Sequence, residues 1–335
     1  MTETNIGGVY SLLDLLKYMD PSNGRLLFVA EVLSRKSPVI KEAPILEANQ
    51  ALTHIGTRTT SLPTVGKRAI NDGVTYQAHK EQQITAPMSL FETMSKVDEE
   101  IIKLAGSNAA GVRQRKDAAF IEAITQAVEE EIFYGSLGDD DLGFNGLATL
   151  FASTSTYPNG DSTWYYNVLS GGGSGSDTTS IWLIEWGADK VHLIYPKGTK
   201  AGIEVNDMGK QLVSGVTTST QYVAYVTQFK WRCGLFVSDE RCVQRIANVE
   251  TSGTSNTFDD DDLITMINRL PDMGENPMTR IYVNRTIRTQ MDIKVKDKNN
   301  VNYTSGTDAF GKPTLQFRGI PVQVADQIVN TETAI

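Results

Sequence analysis

Few side chains in this chain of 335 residues are of the kinds that carry chemistry, and their spacing does not gather them. The three histidines are His54, His79 and His192. They form no His-x-His or His-x-x-x-His pair, so they do not read as a metal site. The two cysteines, Cys233 and Cys242, fit neither a disulfide framework nor a four-ligand zinc site. Without a histidine partner nearby in sequence they read as packing residues rather than nucleophiles. The acidic runs Asp139–Asp141 and Asp259–Asp262 lack the alternating ligands and distal Glu of a calcium loop. The first reads as a solvated turn. The second directly precedes a helical pattern and reads as N-terminal capping. Neither the Gly-Gly-Gly-Ser-Gly-Ser run at Gly171–Ser176 nor Gly198-Thr199-Lys200 has the Gly-Lys-Ser/Thr ending of a phosphate loop. No serine lies in a Gly-x-Ser-x-Gly elbow. An enzymatic reading is left with a site assembled from distant residues such as Asp139, Asp141 and His192. The expectation is no catalytic residue, no cofactor and no metal.

Composition bounds the class. The chain is 40% hydrophobic and 21% charged, with formal net charge −9, an ordinary balance for a soluble globular protein with a real core. Its acidity argues against a free-standing nucleic-acid binder. No signal peptide or bilayer-spanning apolar run is evident, and two cysteines suit a reducing compartment. The charge is uneven. Residues 51–86 hold four cations (Arg58, Lys67, Arg68, Lys80) and two anions (Asp72, Glu81), net +2, which leaves −11 for the rest.

Those residues, Ala51–Ala86, are rich in Thr and β-formers and poor in large apolar side chains. Asn71-Asp72-Gly73 reads as a hairpin turn, with Thr75–Thr85 as the returning strand. A two-stranded ribbon has too little apolar surface for a core of its own and needs another surface to lie on. Before it, Ser11–Tyr18 reads as a short amphipathic helix, and Arg25–Leu33 as a short helix or strand. After it, Phe91–Leu104 reads as a helix. The clearest element is a helix over about Val112–Tyr134, with Ile121, Ile124, Val128 and Ile132 as its apolar stripe and Gly135 as its stop. Its charges oppose the helix dipole, with Arg113, Arg115 and Lys116 at the start and Glu129, Glu130 and Glu131 at the end. They are either solvated or meet opposite charges elsewhere. The second half reads as β-rich, with strands at Ser180–Trp186, Lys190–Tyr195, Gln221–Trp231, Gly234–Ser238, Arg280–Val283, Leu315–Phe317 and Ile320–Val324. Helices read at Leu263–Leu270 and Arg285–Ile293. The class is α+β.

The order of parts, and a set of strings, resemble a known family. The strings are Val97-Asp98-Glu99-Glu100-Ile101, Ile132-Phe133-Tyr134-Gly135, Phe144-Asn145-Gly146-Leu147, Thr179–Gly187, His192–Gly198, Trp231-Arg232-Cys233-Gly234-Leu235, Arg245-Ile246-Ala247-Asn248, Phe317–Val322 and Ile328–Glu332. The chain resembles the major capsid proteins of tailed double-stranded DNA bacteriophages, of the Hong Kong 97 fold. Within them it looks like the short-tailed phages of the epsilon-fifteen type.

The resemblance implies an N-terminal arm leading into the P domain (1–50) and an E-loop ribbon (51–86). It implies a P domain (87–145) with a spine helix at 112–134. Residues 146–310 would be mainly A domain with interleaved P-domain strands, and 311–335 C-terminal strands. It implies a self-assembling icosahedral head shell around phage DNA, present in the virion and in the host cytoplasm during assembly. Partners would be other copies in hexamers and pentamers, a separate scaffolding protein, a portal and a decoration protein, with DNA only by non-specific proximity and no membrane. The expected subunit-interface residues are Arg58, Lys67, Arg68, Asn71, Asp72, Gly73 and Lys80, with the four cations resting on acidic surface of a neighbour. An encapsulin-type compartment shell is the alternative on the same fold.

Overall fold

The computed structural model describes residues 37–160, 162, 164–215, 220–295, 303–307 and 313–335. The elements expected at Ser11–Tyr18 and Arg25–Leu33 lie outside them. In chain order the main elements are α1 (Val39–Glu42), β1 (Ile45–Glu47), β2 (Thr53–Ser61), β3 (Lys80–Pro87), β4 (Ser89–Asp98), α2 (Glu99–Ala105) and α3 (Ala109–Tyr134). Then come α4 (Leu147–Leu150), β5 (Val168–Ser170), β6 (Thr178–Glu185), β7 (Val191–Tyr195), β8 (Ile203–Ser214), β9 (Gln221–Val237) and β10 (Val243–Glu250). The chain closes with α5 (Asp260–Asn268), β11 (Thr279–Val283), α6 (Arg285–Val295), β12 (Tyr303–Thr307), β13 (Pro313–Phe317) and β14 (Ile320–Val324).

The chain divides into two compact units. The smaller takes Leu90–Val128 and Gly202–Arg232. In it β9 pairs antiparallel with β8 over a long ladder, from Ile203↔Trp231 to Ser214↔Gln221, and β4 also pairs with β9. The early turns of α3 lie on one face of this sheet. Phe120 stacks on Phe229 with centroids 5.9 Å apart. Arg113 pairs with Asp207 at 2.9 Å, donates to the Thr227 hydroxyl and lies over the Tyr225 ring. One of the cations written against the helix dipole thus meets an anion. Val97, Ile101, Ala105 and Val112 form a small core beside it.

The larger unit takes Glu129–Ala201, Cys233–Ile335 and the described part of Arg35–Ser89. Its centre is a mixed sheet in the order β12-β13-β14-β11-β6-β10-β5. Every residue of β6 is buried, because both faces of the strand are covered. One face packs Ile181 and Leu183 against Leu263, Met266 and Ile267 of α5 and Ile287 and Met291 of α6. On the other, Trp182 meets Phe133 at the end of α3. The terminal acids of α3 find backbone donors there. Glu129 accepts from the Val39 N–H at 3.4 Å, and Glu131 accepts from the Phe144 N–H at 3.1 Å.

Several sequence expectations need correction. Residues 91–98 are strand, not helix. Phe91, Thr93, Ser95 and Val97 alternate with exposed or half-buried residues, and only Glu99–Ala105 is helical. β8 carries no apolar alternation strong enough to announce it and was not expected. Gln221–Trp231 and Gly234–Ser238 are one strand of 17 residues. In α3, which has 26 residues and spans roughly 39 Å, Ile124, Val128 and Ile132 are buried but Ile121 is 37% exposed. The buried row steps by four through Val112, Lys116, half-buried Phe120 and Ile124, so Phe120 takes the place expected for Ile121. Asp259, at the N-cap of α5, makes no capping hydrogen bond; it pairs with Lys294, and Asp260 accepts from the Tyr303 hydroxyl.

A buried ion pair closes the larger unit. Arg245 of β10 donates to Glu332 at 2.9 Å, with the side chains 4% and 6% exposed. Arg245 also donates to the Ser180 hydroxyl and to the Phe151 carbonyl, both within 2.9 Å, and lies over the Trp182 ring. Glu332 accepts further from Ser180 and from Tyr134 at 2.6 Å. Burial, with the Glu332 charge beside it, pushes the Tyr134 phenol well above its usual range, so it stays a donor. Removing one partner strands a charge. Glu332→Ala or Arg245→Ala is expected to cost about 3–5 kcal/mol, while R245M/E332L together costs far less. Urea midpoints at unchanged slope check this.

Candidate functional site

The ribbon is the part of the larger unit that its own core does not absorb. β2 and β3 pair antiparallel from Thr53↔Pro87 to Ser61↔Lys80, with a bulge between Thr59 and Ser61. The ladder is built of Thr, Gln and Lys, which suit an exposed pleat. The returning strand begins at Lys80 rather than Thr75, so residues 62–79 form an extended tip without ladder pairing. The tip reverses through Ala69–Asp72, where the Asp72 N–H donates to the Ala69 carbonyl at 3.3 Å. Asn71 holds the left-handed conformation there (φ 69°), and the Asp72 carboxylate accepts from the Gly73 N–H. The expected turn residues are therefore at the turn, with Asn71 and not Gly73 in the left-handed role.

The base of the ribbon is anchored by a small apolar core. Ala48, Ile194 and Phe236 are buried together, with Ile84, Ala86 and Met88 packed against them. A side chain at Gly56 would overlap the Phe236 ring, so the absence of one lets β2 lie on β9. Gly234 is equally constrained by the Pro87 carbonyl and Met88. Asn49 clips the strand edge-on, accepting from the Ile55 N–H at 2.9 Å and donating to its carbonyl at 2.6 Å. Three rings fill the corner. His54 sits 4.5 Å from Phe236 and 6.0 Å from His192, and His192 lies 5.3 Å from Phe236. Burial lowers the pKa of both imidazoles; for His192 a hydrogen bond to Gly187 opposes that shift.

The structure separates the expected interface residues into two groups. Lys67, Arg68, Asn71, Asp72, Gly73 and Lys80 are all exposed. Arg58 is not free for a neighbour. Its guanidinium pairs with Glu240 of its own chain at 2.6 Å, and its side chain is only 15% exposed. Arg58 thus has an acidic partner within its own chain, unlike the other three cations expected at the interface. The tip also carries what composition alone understated. Leu62, Val65, Ile70, Val74 and Tyr76 are between 64% and 105% exposed. They are scattered singly among polar residues, so no periodicity marks them. Asp139 and Asp141 are exposed while His192 is buried, and no His, Cys, Asp and Glu cluster among the described residues could hold a metal. No helix among the described residues is long and apolar enough to cross a membrane.

Two outcomes are expected of the base. Gly56→Ala overpacks the Phe236 contact by about 1–3 kcal/mol, and Phe236→Leu in the same chain relieves it; protease sensitivity within residues 53–87 reads both. The histidines give a pH dependence with a definite sign. Their folded pKa values lie below that of a free histidine, so the unfolded base binds protons first as pH falls below about 6.5. The stability of the ribbon base is full above that pH and declines below it. Hydrogen exchange at the Ile55 and Ala86 amides, compared at two pH values after correction for intrinsic rates, measures the decline.

The whole chain is similar in structure to proteins of known role. It matches a cryo-EM structure from bacteriophage epsilon15 with TM-score 0.72 and 24% identity, over 100% of this chain and 99% of that one. The capsid of bacteriophage JBD30 matches with TM-score 0.51 and 14% identity, over 89% and 93%. An encapsulin, SrpI of Synechococcus elongatus, matches with TM-score 0.48 and 11% identity, over 71% and 96%, a likeness too weak to argue from. No curated protein matches the chain. The fold is thus of the Hong Kong 97 type. Residues 21–335 match the family of the major capsid protein GP7. With nearly its whole length inside that match, the chain belongs to the major capsid protein GP7 family, a shell-forming structural protein of the phage head and not an enzyme.

Proposed function

We propose that each subunit of the shell lays its ribbon on an adjoining subunit, and that repetition of this contact builds the head. The observation that carries this is the tip, where Leu62, Val65, Ile70, Val74 and Tyr76 stand in solvent. Large apolar side chains left in solvent on one segment gain free energy when a partner covers them. A ribbon with a fixed base and a free tip supports the same reading, because the anchored end holds the direction in which the arm reaches. From Thr53 to the turn at Asn71 that reach is about 60 Å.

The finer assembly follows from the family reading. Subunits close into hexamers and pentamers, and the ribbon within residues 51–86 is the E-loop. The helix Ala109–Tyr134 is the spine of the P domain. The A domain is drawn mainly from residues 146–310. A separate scaffolding protein, a portal and a decoration protein complete the partners, with DNA enclosed but not specifically bound. Assembly takes place in the host cytoplasm. A fixed-base ribbon also permits subunits to fold before they assemble, since the core at Phe236 does not need a neighbour.

The test separates folding from assembly. Ser61 and Lys80 face each other across the ladder, so a two-residue Asn-Gly turn can replace residues 62–79. The shortened chain is expected to keep its circular dichroism and cooperative melting but to form no particles in electron micrographs under conditions where the full chain forms shells. Normal shells from the shortened chain would falsify the ribbon's role.

A further inference from the structure

At the corner where β6 passes to β7, three ionisable side chains meet. Lys190 Nζ donates to the Glu185 carboxyl at 2.5 Å and also to the Asp272 carboxylate. The Asp272 carboxyl in turn hydrogen-bonds to that of Glu185. The Glu185 side chain is fully buried, whereas those of Lys190 and Asp272 are 26% and 49% exposed. Glu185 Oε2 meets no N–H or O–H donor. Two carboxyls in contact, one of them out of water, hold a proton between them in place of two charges. Lys103, Lys210, Lys230 and Lys294 also pair with acids, but each of those acids is partly open to solvent. Around Glu185 the walls are closed: Thr279, its cross-strand neighbour, and Cys242 are both buried.

Backbone hydrogen bonds fix both ends of the contact. The Lys190 N–H donates to the Gly187 carbonyl, and the Lys190 carbonyl accepts from the Ser238 and Asp239 N–H groups. Asp272 sits in a turn where the Met273 N–H donates to the Leu270 carbonyl and the Glu275 N–H to the Asp272 carbonyl. The Asn276 side chain ties that turn to the Trp186 carbonyl at 3.4 Å. An amine and a carboxyl carbon are thus presented to each other by fixed backbone. Well-oriented groups within one molecule react as if at about 10⁵–10⁸ M.

We propose that Lys190 and Asp272 of one chain condense to an isopeptide bond, with Glu185 as the proton carrier. Burial lowers the Lys190 pKa, but the hydrogen bonds to Asp272 and Glu185 outweigh it and hold the ammonium above its usual range. The Lys190 hydrogen bond holds the Asp272 carboxyl below its own. The resting contact is therefore an ion pair, and the step begins when a proton passes from Nζ to the Asp272 carboxylate. The neutral amine attacks Cγ. The Nζ–Cγ bond forms, and the carbonyl electron pair moves to oxygen, which takes the Glu185 proton. Glu185 then accepts a proton from nitrogen and gives it to one hydroxyl, which leaves as water when its bond to Cγ breaks. Glu185 takes back the proton of the remaining hydroxyl, and the amide carbonyl is complete. No oxidant or cofactor enters. Asp272 lines an open hollow of about 520 Å³, a way out for the water. Two charges beside a buried acid become one neutral amide. The bond ties the β6–β7 corner to the turn after α5, 82 positions away. Both cysteines are free, so this tie is one that a reducing medium does not cut. It forms once per chain and leaves the structural role of the protein as it is.

The experiment is the intact mass of the full chain after folding, measured under denaturing conditions. It is expected to fall short of the sequence mass by one water. Trypsin is expected to leave Lys190 uncut and to yield a branched peptide that joins it to the peptide holding Asp272. Asp272→Asn keeps the carbonyl but makes ammonia the leaving group, so its deficit becomes one ammonia. Lys190→Arg and Glu185→Gln are expected to show the full sequence mass. A full sequence mass for the folded, unsubstituted chain overturns the proposal without any variant. So does a water-sized deficit that fragmentation places within a single peptide, as a succinimide at Asp72-Gly73 would be. A branched product at undiminished yield in Glu185→Gln overturns the part given to Glu185.

Discussion

A guanidinium and a carboxylate withdrawn from water hold the larger unit together. Arg245 and Glu332 sit where neither can be solvated, so each must find every partner its geometry demands. The consequences reach several elements. Ser180 on β6, Tyr134 at the end of α3 and the carbonyl of Phe151 all donate to or accept from this pair. The last residues of the chain are drawn across the sheet, where the Glu332 N–H donates to the Thr178 carbonyl and the Thr178 hydroxyl donates to the Glu332 carbonyl. Phe151, held through its carbonyl, also lines a hollow of about 240 Å³ beside the base of the ribbon. A hydrophobic pair could supply similar stability, but it would not demand one particular arrangement of five segments.

Much of this was legible in the chain. The long helix announced itself because its apolar residues recur at helical spacing, and the ribbon because Thr-rich pleats around Asn71-Asp72 admit few other structures. Arg245 and Glu332 stood in two of the strings that carried the family resemblance, although nothing in either string said that they meet. What was not legible depends on distance in sequence. Phe91–Val97 satisfies helical and alternating patterns about equally over so short a run; pairing with β9 decides for strand. β8 is exposed along most of its length, so it shows no buried face to read. Ile121 and Phe120 are adjacent and both apolar, and only the surface under the helix chooses Phe120. Arg58 looked like its three fellow cations until Glu240, 182 positions later, took it.

The site was legible in outline and not in substance. Charge pattern pointed to cations on the ribbon, whereas the geometry adds single exposed apolar residues between them. Phe236 and Gly56 are invisible as partners in sequence because the fit between them depends on a missing side chain.

The tip has a further consequence for the subunit before it finds a neighbour. A two-stranded ribbon offers unpaired amide and carbonyl rows along both edges, a template for uncontrolled fibre growth in a crowded cell. The arrangement of the tip blunts that hazard. Leu62 is followed by Pro63, Val65 by Gly66, Lys67 and Arg68, and Ile70 by Asn71, Asp72 and Gly73. Pro63, Gly66 and Gly73 interrupt the run and Lys67 and Arg68 charge it, which disfavours its stacking on copies of itself as a cross-β zipper. The chain thus carries exposed apolar side chains on an open edge with breakers set between most of them.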